Sequence, residues 1–196
     1  MQAEENRIRE GENVWLKDVI ILAAYTGLRL GELAAARWSW IDLEARTLKV
    51  THSESFRTKT CRERVVPLAG KALETVQHLK EKREERGEHL DGPLLPGPKG
   101  LGINLRRTSR RFKFFIRKAM LPDELHFHSL RHSCGSMLAL GRVPDVVIAE
   151  VLGHASTQTT RIYTHAAAGH VRDAMERVFR SEKVRDEPSR PRIFTN

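Results

Sequence analysis

The sequence predicts an α+β domain, mainly helical, with one small antiparallel sheet. Three observations carry that expectation. Several segments place apolar residues at helical spacing, whereas only the stretch 42–68 reads as strands, with alternation at a period of two. Glycines at 27, 141 and 153 close helical segments, where a left-handed or open conformation is wanted. The chain has 196 residues, 40% hydrophobic and 30% charged, which suits one full domain with its own core and not a disordered chain.

The elements follow in order. Residues 14–25 read as a helix ended by Gly27, and residues 30–37 as a second, short helix. Residues 42–53 read as strand, turn and strand, with Leu48 and Val50 alternating against polar neighbours. A further strand is expected over 62–68, stopped by Pro67, and the polar hairpin loop 55–60 before it carries Arg57 and Lys59. Residues 71–86 form a charged surface helix with Leu73, Val76 and Leu79 as its narrow apolar seam. Residues 87–102, rich in Gly and Pro, are a loop.

Residues 101–122 contain seven basic residues and no acidic one. On a helical wheel Leu105, Thr108, Phe112, Phe115, Ile116 and Ala119 share one face, and Arg106, Arg107, Arg110, Lys113 and Arg117 the other. Such a face is either solvated or phosphate-contacting. Residues 128–140 and 145–152 are helical, ended by Gly141 and Gly153. A short helix at 157–165 takes Ser156 as its N-cap. The last helix, 171–179, carries Val171, Met175, Val178 and Phe179 at helical spacing.

Composition narrows the function. Thirty-four Lys and Arg against 25 Asp and Glu give a net charge of +9, which favours an anionic partner, nucleic acid before a membrane surface. The longest apolar run, 19–25, is too short to span a bilayer, and the polar segment 1–12 is neither a signal nor a transit peptide. Two cysteines, Cys61 and Cys134, make neither a disulfide framework nor a Cys-rich zinc site, so a reducing, cytosolic setting is expected.

His128 and Arg131 stand one turn apart on their helix with His132 beside them, while Leu130, Cys134 and Met137 are expected to face the core. Gly135 leaves room for close approach. Arginine holds a phosphate through two parallel bonds and keeps its charge, and a neighbouring imidazole can donate a hydrogen bond or move a proton. His126, His128 and His132 have some metal-ligand spacing, but no Asp, Glu or Cys completes the set and the basic surroundings oppose a cation, so no metal is expected. Taken singly, each candidate also has a structural explanation: a helix cap for His128 and His154, a surface ion pair for Arg131, an i,i+3 bridge to Glu32 for Arg29, a solvated turn for Lys59, packing for Tyr163.

Taken together they form a pattern. The chain reads Thr-Gly-Leu-Arg-Leu-Gly-Glu-Leu at 26–33, Arg-Thr-Lys-Thr at 57–60, His-Ser-Leu-Arg-His at 128–132, Leu-Gly-His at 152–154 and Arg-Ile-Tyr-Thr-His at 161–165. In this order and spacing it resembles the catalytic domain of the tyrosine recombinases, the phage-integrase family, from about residue 14 to 179. The resemblance implies the DNA breaking–rejoining fold over residues 1–185. The Pro- and Arg-containing tail at 186–196 is expected to be disordered. Members of that family usually carry an N-terminal DNA-gripping helical domain, and the expectation here departs from that pattern: the core-binding domain is absent. It also implies roles. Arg29 and Arg131 would clamp the scissile phosphate, Lys59 would be the general acid for the leaving 5′ oxygen, His128 would assist proton transfer, His154 would hydrogen-bond the phosphate, and Tyr163 would be the nucleophile. Glu32 would orient Arg29, and His132 would support the site from behind.

That assignment suits the chemistry. Phosphoryl transfer needs charge neutralisation, in-line geometry and proton handling more than a cofactor, and none is expected. Cations beside a phenol of pKa about 10 favour its phenolate. Attack would leave a 3′-phosphotyrosyl link that a second strand's 5′ hydroxyl can reverse. The implied partners are double-stranded DNA and, on it, a homotetramer, with a monomer when free, no membrane, and a cytoplasmic, nucleoid-associated location. Arg57, Arg106, Arg107, Arg110, Arg111, Lys113 and Arg117 are the expected DNA-binding residues. The last helix is expected to dock on a neighbouring protomer. The alternatives are a type IB topoisomerase-like nicking and religating activity and a DNA-binding module without autonomous recombination.

Overall fold

Helix α1 (Val14–Thr26) runs through the centre of the fold, with Val19, Leu22 and Ala23 essentially without solvent exposure. The structure, a computed structural model, describes residues 14–51, 63–97, 102–141, 143–153, 172 and 175–179. After α1 come α2 (Leu30–Ala35), a 3-10 turn (Trp38–Trp40), β1 (Ile41–Asp42), β2 (Thr47–Val50), β3 (Arg64–Pro67), α3 (Lys71–Glu85), α4 (Leu105–Lys118), α5 (Phe127–Leu140) and α6 (Asp145–Leu152). The predicted fold class holds: a mainly helical chain with one antiparallel sheet of order β1-β2-β3. Leu48 pairs with Val66 and Val50 with Arg64, so the period of two turns Leu48, Val50 and Val66 onto the core. Pro67 occupies the last ladder position, opposite Thr47, where its missing N–H costs least.

α1 packs against α3 and α5, and α5 against α6. The seam of α3 is Ala72, Thr75, Val76 and Leu79, with the predicted Leu73 only half-buried at its margin. On α4 Thr108, Phe112 and Ile116 are buried, but Leu105 and Ala119 are exposed, because the helix ends run past the core. Asn104 caps α4, its Oδ1 accepting from the Arg107 N–H at 3.0 Å. The loop after α3 is a wall of the core. Leu94 and Leu95 are buried, and the Leu94 N–H donates to the Ala36 carbonyl at 2.8 Å.

Residues 175–179, in the segment expected to dock on a neighbouring protomer, are helical and pack on the chain's own core. The Phe179 ring lies 4.5 Å from that of Tyr25, and Met175 is fully buried. Glycines shape the slot: a Cβ at Gly141 would fall 2.0 Å from Val178 Cγ2, and one at Gly70 3.2 Å from Phe179 Cβ. The hairpin loop with Arg57 and Lys59, Cys61, the predicted 157–165 helix with Ser156, and the tail at 186–196 lie outside the described residues.

Candidate active site

The site begins at the break after α1. Gly27 adopts φ 66°, and a Cβ there would lie 2.3 Å from Leu152 Cδ2, so glycine is required on both counts. The Thr26 hydroxyl donates to the Leu22 carbonyl and accepts from the Leu28 N–H, which steadies the turn. Arg29 then stands at the N-cap of α2, where Ser, Thr, Asp or Asn would supply a capping oxygen. Glu32 compensates by reaching back, accepting from the Arg29 N–H at 2.8 Å and from Arg29 Nη1 at 3.1 Å. The other arm of Arg29 crosses to the end of α6, donating to the Gly153 carbonyl at 3.1 Å. The predicted bridge to Glu32 and the reach across a cleft thus coexist.

Arg131 arrives from the opposite side. The core seam of α5 is Phe127, Arg131, Cys134 and Leu138, with Leu130 and Met137 half-buried, so the predicted core face is rotated and takes in the arginine. Its Nη1 donates to the Gly27 carbonyl at 2.8 Å. Its Nη2 is buried with no hydrogen-bond partner among the described residues. Burial, followed by the charges of Arg29 and Arg64, pushes the guanidinium down to about 10, although Glu32 opposes the shift. It remains a cation at neutral pH, with no salt-bridge partner among the described residues. Burial likewise pushes the neighbouring Cys134 thiol up to about 12, which makes it an inert core residue. Gly135 does allow close approach, but the group that approaches is Leu152, whose Cδ1 would lie 3.2 Å from a Cβ there.

His128 is exposed at the mouth, its ring 4.9 Å from His132 and 6.4 Å from His126. Partial burial and then the charges of His132, Arg131, His126 and Arg29 hold it below the usual imidazole range. His126 caps α5 through Ser129, whose Oγ lies 2.9 Å from its Nδ1. Leu28, Arg29, Arg110, Lys113, His126, His128 and Arg131 are among the residues that line a pocket of about 470 Å³, and among the described residues no carboxylate lines it. Cations converge there on a space that suits a tetrahedral oxyanion. Among the described residues no group of His, Cys, Asp or Glu could hold a metal ion.

Of the other predicted residues, Arg110 and Lys113 join the pocket from α4. Lys113 is also held by the Asp123 and Leu125 carbonyls, and Arg117 by the Asp123 carboxylate at 2.8 Å, so that carboxylate, held down at about 2 by both partners, occupies part of the basic face. Arg111 lies over the Phe114 ring at 5.8 Å, and Arg106 and Arg107 point to solvent. His132 is exposed beside His128. Arg57, Lys59, His154 and Tyr163 lie outside the described residues.

Sequence reasoning missed Arg64. It is buried on β3 and donates to both Glu32 oxygens, at 2.9 and 2.8 Å. Burial works against the Glu32 charge, but the bonds and charges of Arg64 and Arg29 outweigh it and hold the carboxyl below its ordinary range. The signal was in the strand period: Arg64 shares a face with Val66 and Leu68, both buried.

A family model described as the phage integrase family matches residues 1–170. Tyrosine recombinase XerC of Xylella fastidiosa (strain 9a5c) is 35% identical over 152 residues, 76% of this chain and 49% of the relative. The chain therefore spans about half the length of the curated relatives it matches. Among solved structures, the integrase of mycobacterium phage Brujita superposes with a TM-score of 0.64 at 25% identity, over 92% of this chain and 54% of that one. XerH site-specific recombinase, bound to a palindromic difH substrate in a post-cleavage complex, superposes with a TM-score of 0.58 at 26% identity, over 82% and 45%. No helix among the described residues is long and apolar enough to cross a membrane. With a fold shared with integrases and recombinases, and a family match over most of its length, the chain belongs to the phage integrase family.

Proposed function

We propose that the chain is the catalytic part of a site-specific DNA recombinase. It cleaves and rejoins duplex strands through a covalent 3′-phosphotyrosyl intermediate. One observation carries the reading: Arg131 Nη2 is buried and unpartnered among the described residues, beside Arg29, in a pocket lined by cations and no carboxylate. A buried donor left unmatched is costly, and a phosphate oxygen matches it. Negative charge builds on the non-bridging oxygens as the pentavalent transition state forms, and Arg29 and Arg131 neutralise it there.

The remaining roles follow by position in the family's motifs. Tyr163 supplies the nucleophilic phenolate, Lys59 protonates the leaving 5′ oxygen, and His154 hydrogen-bonds the phosphate. His128, whose neutral form is favoured by partial burial and the neighbouring cations, is suited to assist proton transfer from the phenol. The bond energy kept in the phosphotyrosyl link lets a 5′ hydroxyl from the partner strand reverse it. Arg110 and Lys113 extend the cationic lining toward flanking phosphates. Recombination then proceeds in a tetramer on DNA, in the cytoplasm at the nucleoid.

The test is a nicked duplex incubated at low salt with EDTA, followed by a denaturing gel. A covalent protein–DNA adduct in the wild type that vanishes in Tyr163→Phe is expected. Salt-sensitive binding with no adduct on any duplex would instead mark a DNA-binding module and overturn the reading.

A further inference from the structure

Arg64 lies on the inward face of β3 between elements it does not belong to. A guanidinium there is costly unless its donors are matched. Arg64 matches them: Nε donates to the Val151 carbonyl at 2.9 Å, and Nη1 and Nη2 take the two Glu32 oxygens in a parallel fork. Gly153 lies flat against it, with a Cβ at that position only 2.9 Å from Arg64 Nη1.

Glu32 therefore serves two arginines, and serves them unequally. Arg64 binds both oxygens at 2.8–2.9 Å in a buried setting, with only 6% and 2% of the two side chains exposed. Arg29 has one side-chain bond to the same carboxylate, at 3.1 Å, and its side chain is 26% exposed on the pocket side. Two guanidiniums, Arg29 and Arg64, thus share the Glu32 carboxylate, and the one that binds it more fully is not among the residues that line the pocket.

We propose that Arg64 is a positioning residue for the phosphate clamp: by occupying the Glu32 charge, it leaves Arg29 oriented yet electrostatically available to the scissile phosphate. The inference rests on the function proposed above. Without Arg64, the whole Glu32 charge turns on Arg29, and the resulting neutral pair competes with the phosphate. A residue that merely braced the fold would behave differently, because its loss would add to that of Glu32.

The test is a double-mutant cycle in single-turnover adduct formation on the nicked duplex at saturating protein. Thermal melts accompany it, and duplex affinity is measured in a Tyr163→Phe background. Arg64→Met is expected to slow the adduct at least tenfold with duplex affinity within twofold of wild type. Glu32→Gln alone slows it by less than twofold, adding Arg64→Met to Glu32→Gln changes it by no more than twofold, and the pair is expected to be at least threefold faster than Arg64→Met alone. Arg64→Lys, which keeps the charge, falls between wild type and Arg64→Met. An Arg64→Met rate within twofold of wild type overturns the inference, as does a pair slower than either single variant. If Arg64→Met does not fold, the comparison of the pair with Glu32→Gln decides alone. If the wild type forms no adduct, the recombinase reading fails separately. Arg64 is then judged by the Arg29 Nε–H resonance, which inorganic phosphate should shift in the wild type and in the pair but not in Arg64→Met or, should that variant not fold, should shift less in Arg64→Lys than in the wild type.

Discussion

Arg131 occupies a helix position where its neighbours Phe127, Cys134 and Leu138 are all core residues. A buried cation of this kind serves chemistry at the expense of packing. Arg131→Met should accordingly keep its stability within roughly 1 kcal/mol of wild type, as the relieved burial of charge offsets the lost bond to the Gly27 carbonyl. Adduct formation in that variant should fall by about a hundredfold or more. Calorimetry and the gel assay read the two effects separately. His128 makes a second prediction at this scale. Its folded pKa lies below the ordinary value of 6.5, so the unfolded chain takes up a proton first, and this residue lowers stability as pH falls through that value. An NMR titration should place His128 below 6.5, and added inorganic phosphate should raise it, because an anion in the pocket favours the imidazolium.

Between elements, one side chain holds the geometry. Leu152, the last residue of α6, fits between Gly27 on the α1–α2 turn and Gly135 on α5. Gly27→Ala places a methyl group into Leu152 in a left-handed backbone, and a loss of about 2–4 kcal/mol is expected, read as a melting temperature lower by roughly 5–10 °C. On α4, Asp123→Asn removes the carboxylate that engages Lys113 and Arg117. Duplex affinity should rise at low salt, and the slope of log affinity against log salt should steepen by about 0.9 for each further phosphate that the freed cations neutralise. The elements were largely legible in the sequence, because period and glycine stops are local signals: α1, α5 and α6 end where Gly27, Gly141 and Gly153 indicate. Which side of an element faces inward was less legible. The α5 seam is set by the turn at Gly27, whose carbonyl needs a donor 104 residues away, and no local pattern encodes that pairing.

At the scale of the molecule, the motifs at 26–33 and 128–132 and the described end of that at 152–154, which looked independent along the chain, are parts of one network. Arg29 reaches Gly153 across 124 positions, and Arg64 reaches Val151 across 87. This is why the motif order carried so much of the site, and why Arg64, outside every motif, did not stand out. Arg172 and residues 175–179 add a second tie: Arg172 donates to the Ala45 carbonyl at 3.0 Å and Phe179 meets Tyr25, so these residues are anchored to the sheet turn and α1.

Arg131 Nη2, which has no partner among the described residues, also bears on how stable the protein is. An oxyanion that fills the pocket binds only the folded chain, and so stabilises it by mass action, by about 2.7 kcal/mol at a hundredfold excess over its Kd. Phosphate or vanadate should therefore raise the melting temperature of the wild type by roughly 5–10 °C and leave that of Arg131→Met unchanged. For this chain, docking on a phosphodiester backbone would supply a partner for a donor that the described residues leave unmatched.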